Sequence, residues 1–204
     1  MSAEPVEGWH RGDWMQTFTG KRFYPLDPRP EDIDPIDVAH ALSLLCRYNG
    51  HVDRFYSVAE HCVLMSQAVP EQDALEALLH DASEAYVGDM VRPLKHTPEL
   101  TPYRVAEDQV EYAVWERFGL PFYSFPSGRG PSPRQPFKSN VVRDADTRIL
   151  LTERTALMSN YKPSDRWLMD GMEPLDVTIH AWEPRYAELQ YLGRLQELGV
   201  EVSS

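Results

Sequence analysis

Apolar positions recur at helical spacing in six separate segments of the chain. In the first, Ile36, Ala39, Leu42 and Leu45 mark one face, with Pro35 in the opening turn and Asn49-Gly50 as the stop. The second starts at Ser57, which has capping-box spacing to Glu60, and carries His61 in its first turns. After Pro70, "EQDALEALLHDASEAY" reads as a third helix with Leu75, Leu78, Leu79 and Ala82 on its apolar side and Gly88 as its end. A fourth runs from Thr101-Pro102 through Phe118, closed by Gly119; a fifth from about Asn140 to Met158; a last one follows Pro184 and ends near Leu198-Gly199.

Between these segments the chain is punctuated. The opening "TFTGKRFYPLDPRPEDIDPID" is dense in Pro, Asp and Gly and reads as loop, with a short strand pair around Phe18 and Phe23-Tyr24. "GLPFYSFPSGRGPSPRQPF" is too long for an ordinary connector and reads as a lid or a mobile loop, and "KPSDRWLMDGMEPLDVT" is irregular. No internal repeat is visible. The fold expected is all-α: a helical domain over residues 36–204 with a long Pro/Gly-rich insert loop, preceded by an irregular arm over residues 1–35.

Composition narrows the class. A chain of 204 residues with 42% apolar and 25% charged residues can bury one sizeable core, which argues against wholesale disorder. Nothing resembles a membrane span, and "MSAEPVEGWHRGDW" lacks the apolar run of a secretory signal, so a cytoplasmic protein is expected. Cys46 and Cys62 sit in apolar helical patterns without metal or redox spacing and read as buried thiols. A formal charge of -12 repels a nucleic-acid duplex and leaves small anions as partners, provided a metal or a few arginines meet them.

The candidate chemistry is concentrated in "HDASEAYVGD", residues 80–89. His80 and Asp81 are adjacent, and Glu84 falls on a neighbouring helical position. An isolated His-Asp pair is common by chance. Two further segments change its meaning, because His61 and Asp146 each place a polar ligand toward the apolar side of a helix, where an ionised carboxylate is costly unless it is paired or binds a metal. Asp144 competes with Asp146; only one can face the site, and Asp144 shares its side with Arg143, Thr147 and Arg148, so Asp146 is the inward choice unless the helix is rotated. Two imidazoles and two carboxylates suit one divalent ion of the Mn, Co, Fe, Ni, Zn or Mg kind.

The order of an isolated His, a His-Asp pair and a distant helical Asp resembles the HD-domain metal-dependent phosphohydrolases. "LLHDASEAYVGDMVRPLK" is similar to the corresponding segment of the bacterial 5′-deoxyribonucleotidases, including Glu84, Asp89, Pro93 and Lys95, and Asp146 with Glu153 fits the last part of the pattern. The resemblance covers roughly residues 36–158. It implies an all-helical fold, often a homodimer, with His61, His80, Asp81 and Asp146 as metal ligands and with Glu84 and Asp89 handling the attacking water and the leaving oxygen. The spacing from His61 to His80 is shorter than in those nucleotidases, and the opening and the insert have no counterpart in them. Related phage hydrolases release tripolyphosphate from dATP, which keeps a triphosphate open as substrate.

On that resemblance the expected activity is a metal-dependent 5′-deoxynucleotidase releasing orthophosphate from deoxynucleoside monophosphates. Glu84 would orient or deprotonate water, and Asp89 would protonate the departing ester oxygen or hold the ribose hydroxyl. Arg47 offers a guanidinium for the phosphate and Tyr48 a ring for base or sugar, as the nucleotidases place an Arg followed by an aromatic upstream of the first ligand histidine. Lys95 is a weaker phosphate candidate, with Arg92, Arg129 and Arg134 as added cations for a triphosphate tail. His51 borders the expected pocket, His40 packs on the first helix, and His10, His96 and His180 read as surface residues. The alternatives are a dNTP triphosphohydrolase, an HD-type di-iron oxygenase needing more histidine ligands, and a nucleotide sensor without turnover.

Overall fold

The computed structural model describes residues 11–124, 134–136, 138–162, 164 and 171–202. Its longer helices are α1 (Pro35–Leu44), α2 (Val58–Ala68) and α3 (Glu71–Leu79), then α6 (Thr101–Phe118), α7 (Asn140–Leu157) and α8 (Pro184–Glu197). Two single-turn helices, α4 (Glu84–Val87) and α5 (Arg92–Lys95), lie between α3 and α6. Strand β1 (Met15–Gln16) pairs antiparallel with β2 (Arg22–Phe23), and β3 (Phe122–Ser124) with β4 (Arg134–Pro136). The fold is all-α, as the periodicity predicts.

Local chemistry sets the helix ends. Asp34 accepts a hydrogen bond from the Ile36 amide and Pro35 supplies the first turn of α1; Ser57 accepts from the Glu60 amide at the start of α2; Ser139 accepts from Val142 at the start of α7. Gly119 closes α6 in the left-handed region at φ 69°.

Two predicted helices are shorter than the sequence suggests. The first ends at Leu44 rather than near Asn49: Leu45 and Cys46 run extended, Cys46 bridges Ser57, and Tyr48 and Asn49 both take positive φ in a tight turn. The third ends at Leu79, because from His80 to Tyr86 the chain tightens into i to i+3 hydrogen bonds before Gly88 stops it. Asp81 and Glu84 are therefore presented by a turn rather than by one continuous helix.

Helix α2 lies at the centre, and every residue from Val58 to Ser66 is buried. A helix buried all round needs partners on every side. On one side α1, α3, α6 and α8 share a core that includes Leu42, Cys62, Leu79, Trp115 and Tyr191; on the other, Leu64 and Met65 meet Val142, Ala145 and Ile149 of α7. The N-terminal segment joins the first core. Phe23 and Ile33 are fully buried, Phe23 stacks on Tyr86 at 4.0 Å, and buried Asp37 accepts hydrogen bonds from the backbone and hydroxyl of Thr19. Over its described residues the irregular N-terminal arm thus packs into the helical body.

Most of the expected lid lies outside the described residues, as do Arg129, the side chain of Arg134, and His10. Its flanks form the β3–β4 pair, so regular structure frames a stretch that reads as loop throughout.

Candidate metal centre

Three elements converge on one point. The first turn of α2 delivers His61, the end of α3 delivers His80 and Asp81, and α7 delivers Asp146. His61 Nε2 and His80 Nε2 lie 3.3 Å apart. Asp81 Oδ2 is 3.2 Å from His80 Nε2 and 3.8 Å from His61 Nε2, and Asp146 Oδ1 stands 3.6 and 3.8 Å from the imidazoles of His61 and His80. Asp144 points elsewhere, exposed and paired with Arg148 at 3.3 Å.

The far nitrogens of both rings are committed. His80 Nδ1 lies 2.8 Å from the Ala77 carbonyl oxygen, which can only accept, so Nδ1 carries a proton. His61 Nδ1 lies 2.6 Å from Glu153 Oε1. Burial opposes ionisation of Glu153, but Arg47 and His61 outweigh it and hold the carboxyl below its usual range, so it too accepts. With Nδ1 of each ring turned to an acceptor, the two Nε2 atoms face each other at 3.3 Å, a contact that either a proton on one of them or a metal ion between them satisfies. An ion at the ~2.0–2.1 Å of a metal–imidazole bond reaches both nitrogens. The donor set of two imidazoles and two carboxylates fits a divalent metal, and His61, His80 and Asp81 form a cluster that can hold one.

Electrostatics point the same way. Burial works against a charged His80, yet Asp81 and Cys62 raise its pKa well above the ordinary imidazole value. Burial likewise opposes an ionised Asp81, but His80, His61 and Arg47 hold it well below the carboxylate range. The site attracts positive charge, and a proton is the lesser alternative to a metal ion.

Glu84 is buried, and its Oε2 has no hydrogen-bond partner among the described residues. Burial first, then Asp81 and Asp89, push its pKa well above the carboxylate range. Such an orphan is costly unless a ligand or water completes it. Asp89, half-buried after the Gly88 turn, is raised by burial against the opposing pull of Arg47.

The residues expected to meet substrate are placed differently. Arg47 is buried between Asp81 and Glu153, 3.4 Å from each, and is a counter-ion to both carboxylates, with its Nε left without a partner among the described residues. The Tyr48 hydroxyl donates to Glu153 Oε2, which commits the tip of a ring expected to meet base or sugar. Lys95 ion-pairs with Glu107 at 2.6 Å. His51 is exposed and lines a cleft of about 500 Å³ with Val52, Asp53, Met158 and Tyr161, none of which is a ligand residue. His40 stacks on Phe18 at 3.6 Å and pairs with Glu188.

Glu153, which the resemblance only matches to the last part of its pattern, joins His61, Arg47 and Tyr48 at full burial. Its signal was spacing: it follows Asp146 by two helical turns on the same face of α7.

No protein-family model matches the chain. It is 41% identical over 144 residues to the uncharacterized protein YfdR of Escherichia coli, an alignment covering 71% of this chain and 72% of that protein. An uncharacterized protein of Rhodobacter capsulatus is 40% identical over 117 residues, covering 53% of this chain and 59% of the relative. The chain belongs to the family of YfdR.

Proposed function

We propose that this member of the YfdR family is a metal-dependent phosphohydrolase of the HD type, releasing orthophosphate from deoxynucleoside 5′-monophosphates. The observation that carries the reading is the convergence of His61 Nε2 and His80 Nε2 at 3.3 Å, flanked by Asp81 and Asp146, beside the unpartnered buried Oε2 of Glu84. The nucleotide part rests on the likeness of "LLHDASEAYVGDMVRPLK" to the 5′-deoxyribonucleotidases.

His61, His80, Asp81 and Asp146 would hold the ion. When bound, a divalent ion there supplies Lewis acidity, lowers the pKa of water and offsets the negative charge of Asp81 that raises Glu84. Glu84 then accepts the proton of the attacking water through Oε2, the atom left without a protein partner. Asp89, whose pKa burial raises, would be the group that passes a proton to the departing 5′ oxygen. Glu153 keeps the proton of His61 on Nδ1, so that Nε2 remains a donor atom. Burial of the cluster strengthens each of these interactions relative to water.

A monophosphate is favoured because Arg47 is engaged inside the ligand shell, which leaves fewer cations for a polyphosphate tail. The di-iron reading needs further histidine ligands, and among the described residues His40 and His51 are engaged or placed elsewhere.

The test is release of phosphate from a panel of deoxynucleoside mono- and triphosphates with added Mn, Co or Mg, comparing wild type with Asp81→Ala. Orthophosphate from monophosphates, abolished in the variant, is the expected result. Tripolyphosphate from a triphosphate replaces this reading with the triphosphohydrolase. Silence across the panel with metal bound rejects both and favours the sensor.

A further inference from the structure

Asp81 and Glu153 hold two of the three guanidinium nitrogens of Arg47, so a second cation beside the cluster bears on how a phosphate would be met. Lys138, in the segment ahead of α7, lies against the ligand turn: its Nζ is 3.5 Å from the His80 carbonyl oxygen and 2.6 Å from Glu111 Oε1, with the Trp115 ring beneath it at 6.0 Å. It belongs to none of the motifs, lying eight residues ahead of Asp146.

Helix α6 explains how it is held. Glu107 and Glu111 are one turn apart on that helix, and each fixes a lysine from another segment, Lys95 and Lys138 respectively, at 2.6 Å. Burial opposes the charge of both lysines, but Glu107 with Glu84 and Asp81 raises the pKa of Lys95, and Glu111 with Asp81 and Asp146 raises that of Lys138. Their exposures separate them from Arg47: its side chain is 9% exposed and bonded to two carboxylates, whereas that of Lys138 is 33% exposed and has one carboxylate partner. A lysine on a flexible stem exchanges that partner for a phosphate more readily than a guanidinium held between Asp81 and the buried Glu153.

We propose that Lys138 is the substrate-binding cation of this site, its ammonium moving from Glu111 to the phosphoryl oxygens of the bound phosphomonoester. The proposal rests on the phosphohydrolase reading for its substrate, but not for its test. Glu111 acts as a placeholder that keeps the lysine ordered and neutralised between turnovers.

The experiment uses the full chain loaded with manganese and measures inorganic phosphate binding by calorimetry, alongside KM and kcat for a deoxynucleoside monophosphate. Losing a charge-assisted hydrogen bond weakens phosphate binding by about tenfold or more in Lys138→Met, with KM rising by more than kcat falls and manganese affinity retained. Lys138→Arg recovers most of the phosphate affinity. Glu111→Gln removes the competing carboxylate and tightens phosphate binding, an effect that a purely structural ion pair would not produce. Equal phosphate binding by Lys138→Met and wild type overturns the proposal, as does failure of the loaded wild type to bind phosphate. If no nucleotide is turned over, the calorimetric comparison still decides the role of Lys138; if turnover occurs and is indifferent to Lys138, the proposal falls and the phosphohydrolase reading stands.

Discussion

Replacing Glu153 with Gln keeps the shape of the side chain and removes its charge. Three partners feel the loss. His61 Nδ1, at 2.6 Å, no longer faces an obligate acceptor; the Tyr48 hydroxyl loses an ionised one; and Arg47 is left with Asp81 alone. Outer partners of metal-bound histidines are worth about 10–100-fold in metal affinity, or roughly 1.4–2.7 kcal/mol. Breaking a buried ion pair by removing one partner costs about 3–5 kcal/mol of folding stability, and the amide of Gln keeps enough hydrogen bonding to place the loss near the lower end. Glu153→Gln is therefore expected to weaken manganese binding by at least about tenfold and to lower apo stability by about 3 kcal/mol. Competition against a chelating dye gives the first quantity, and urea unfolding with and without manganese gives the second. Since bound metal stabilises in proportion to the logarithm of its concentration over Kd, the metal-induced gain in the variant falls by about 1.4 kcal/mol per decade of lost affinity. Unchanged manganese affinity with reduced stability would refute the reasoning and reduce Glu153 to a structural partner of Arg47.

Two further outcomes follow from single residues. Glu84→Gln removes the only proposed proton acceptor for water without touching a ligand atom, so turnover should fall by about 100-fold or more while manganese binding persists; turnover within a few-fold of wild type would exclude the assignment. Glu76 is raised above the usual carboxylate range by burial, despite accepting a hydrogen bond from the Ser139 amide at 2.5 Å, so the folded state holds its proton to higher pH than the unfolded chain. Stability should decline as pH rises from the unfolded value of about 4.3 through the raised folded one, and Glu76→Gln should flatten that decline in thermal melts taken across pH; an unaltered slope would contradict it.

Much of the frame was legible because its signals are local. Ser139 before α7, Gly119 after α6 and Pro184 at the start of α8 act within one turn, so sequence alone places those ends within a residue or two. The misplaced ends are those set by tertiary demands. α1 stops early because Cys46 pairs with Ser57 and because Tyr48 must turn back to reach Glu153; α3 breaks at His80 because Asp81 and His80 are aimed together at His61. Helical periodicity carries no trace of either demand. The four candidate ligand positions follow from residue type on apolar faces, whereas the pairing of Arg47 with Glu153 is a contact across 106 residues that no local pattern reveals.

Glu60 stands one position before His61 on α2, and its carboxylate accepts hydrogen bonds from the amides of His180, Ala181 and Trp182, ahead of α8. From there Tyr191 donates to the Leu78 carbonyl oxygen and Arg194 to Ser66, so the last helix braces both α2 and α3. During synthesis this imposes an order. His61, His80 and Asp81 leave the ribosome long before Asp146, and the helix that steadies them emerges later still, so a nascent chain carries three of the four candidate ligands on an unbraced scaffold. A chain halted before residue 180 would carry these side chains while lacking the clamp that holds their helices in place.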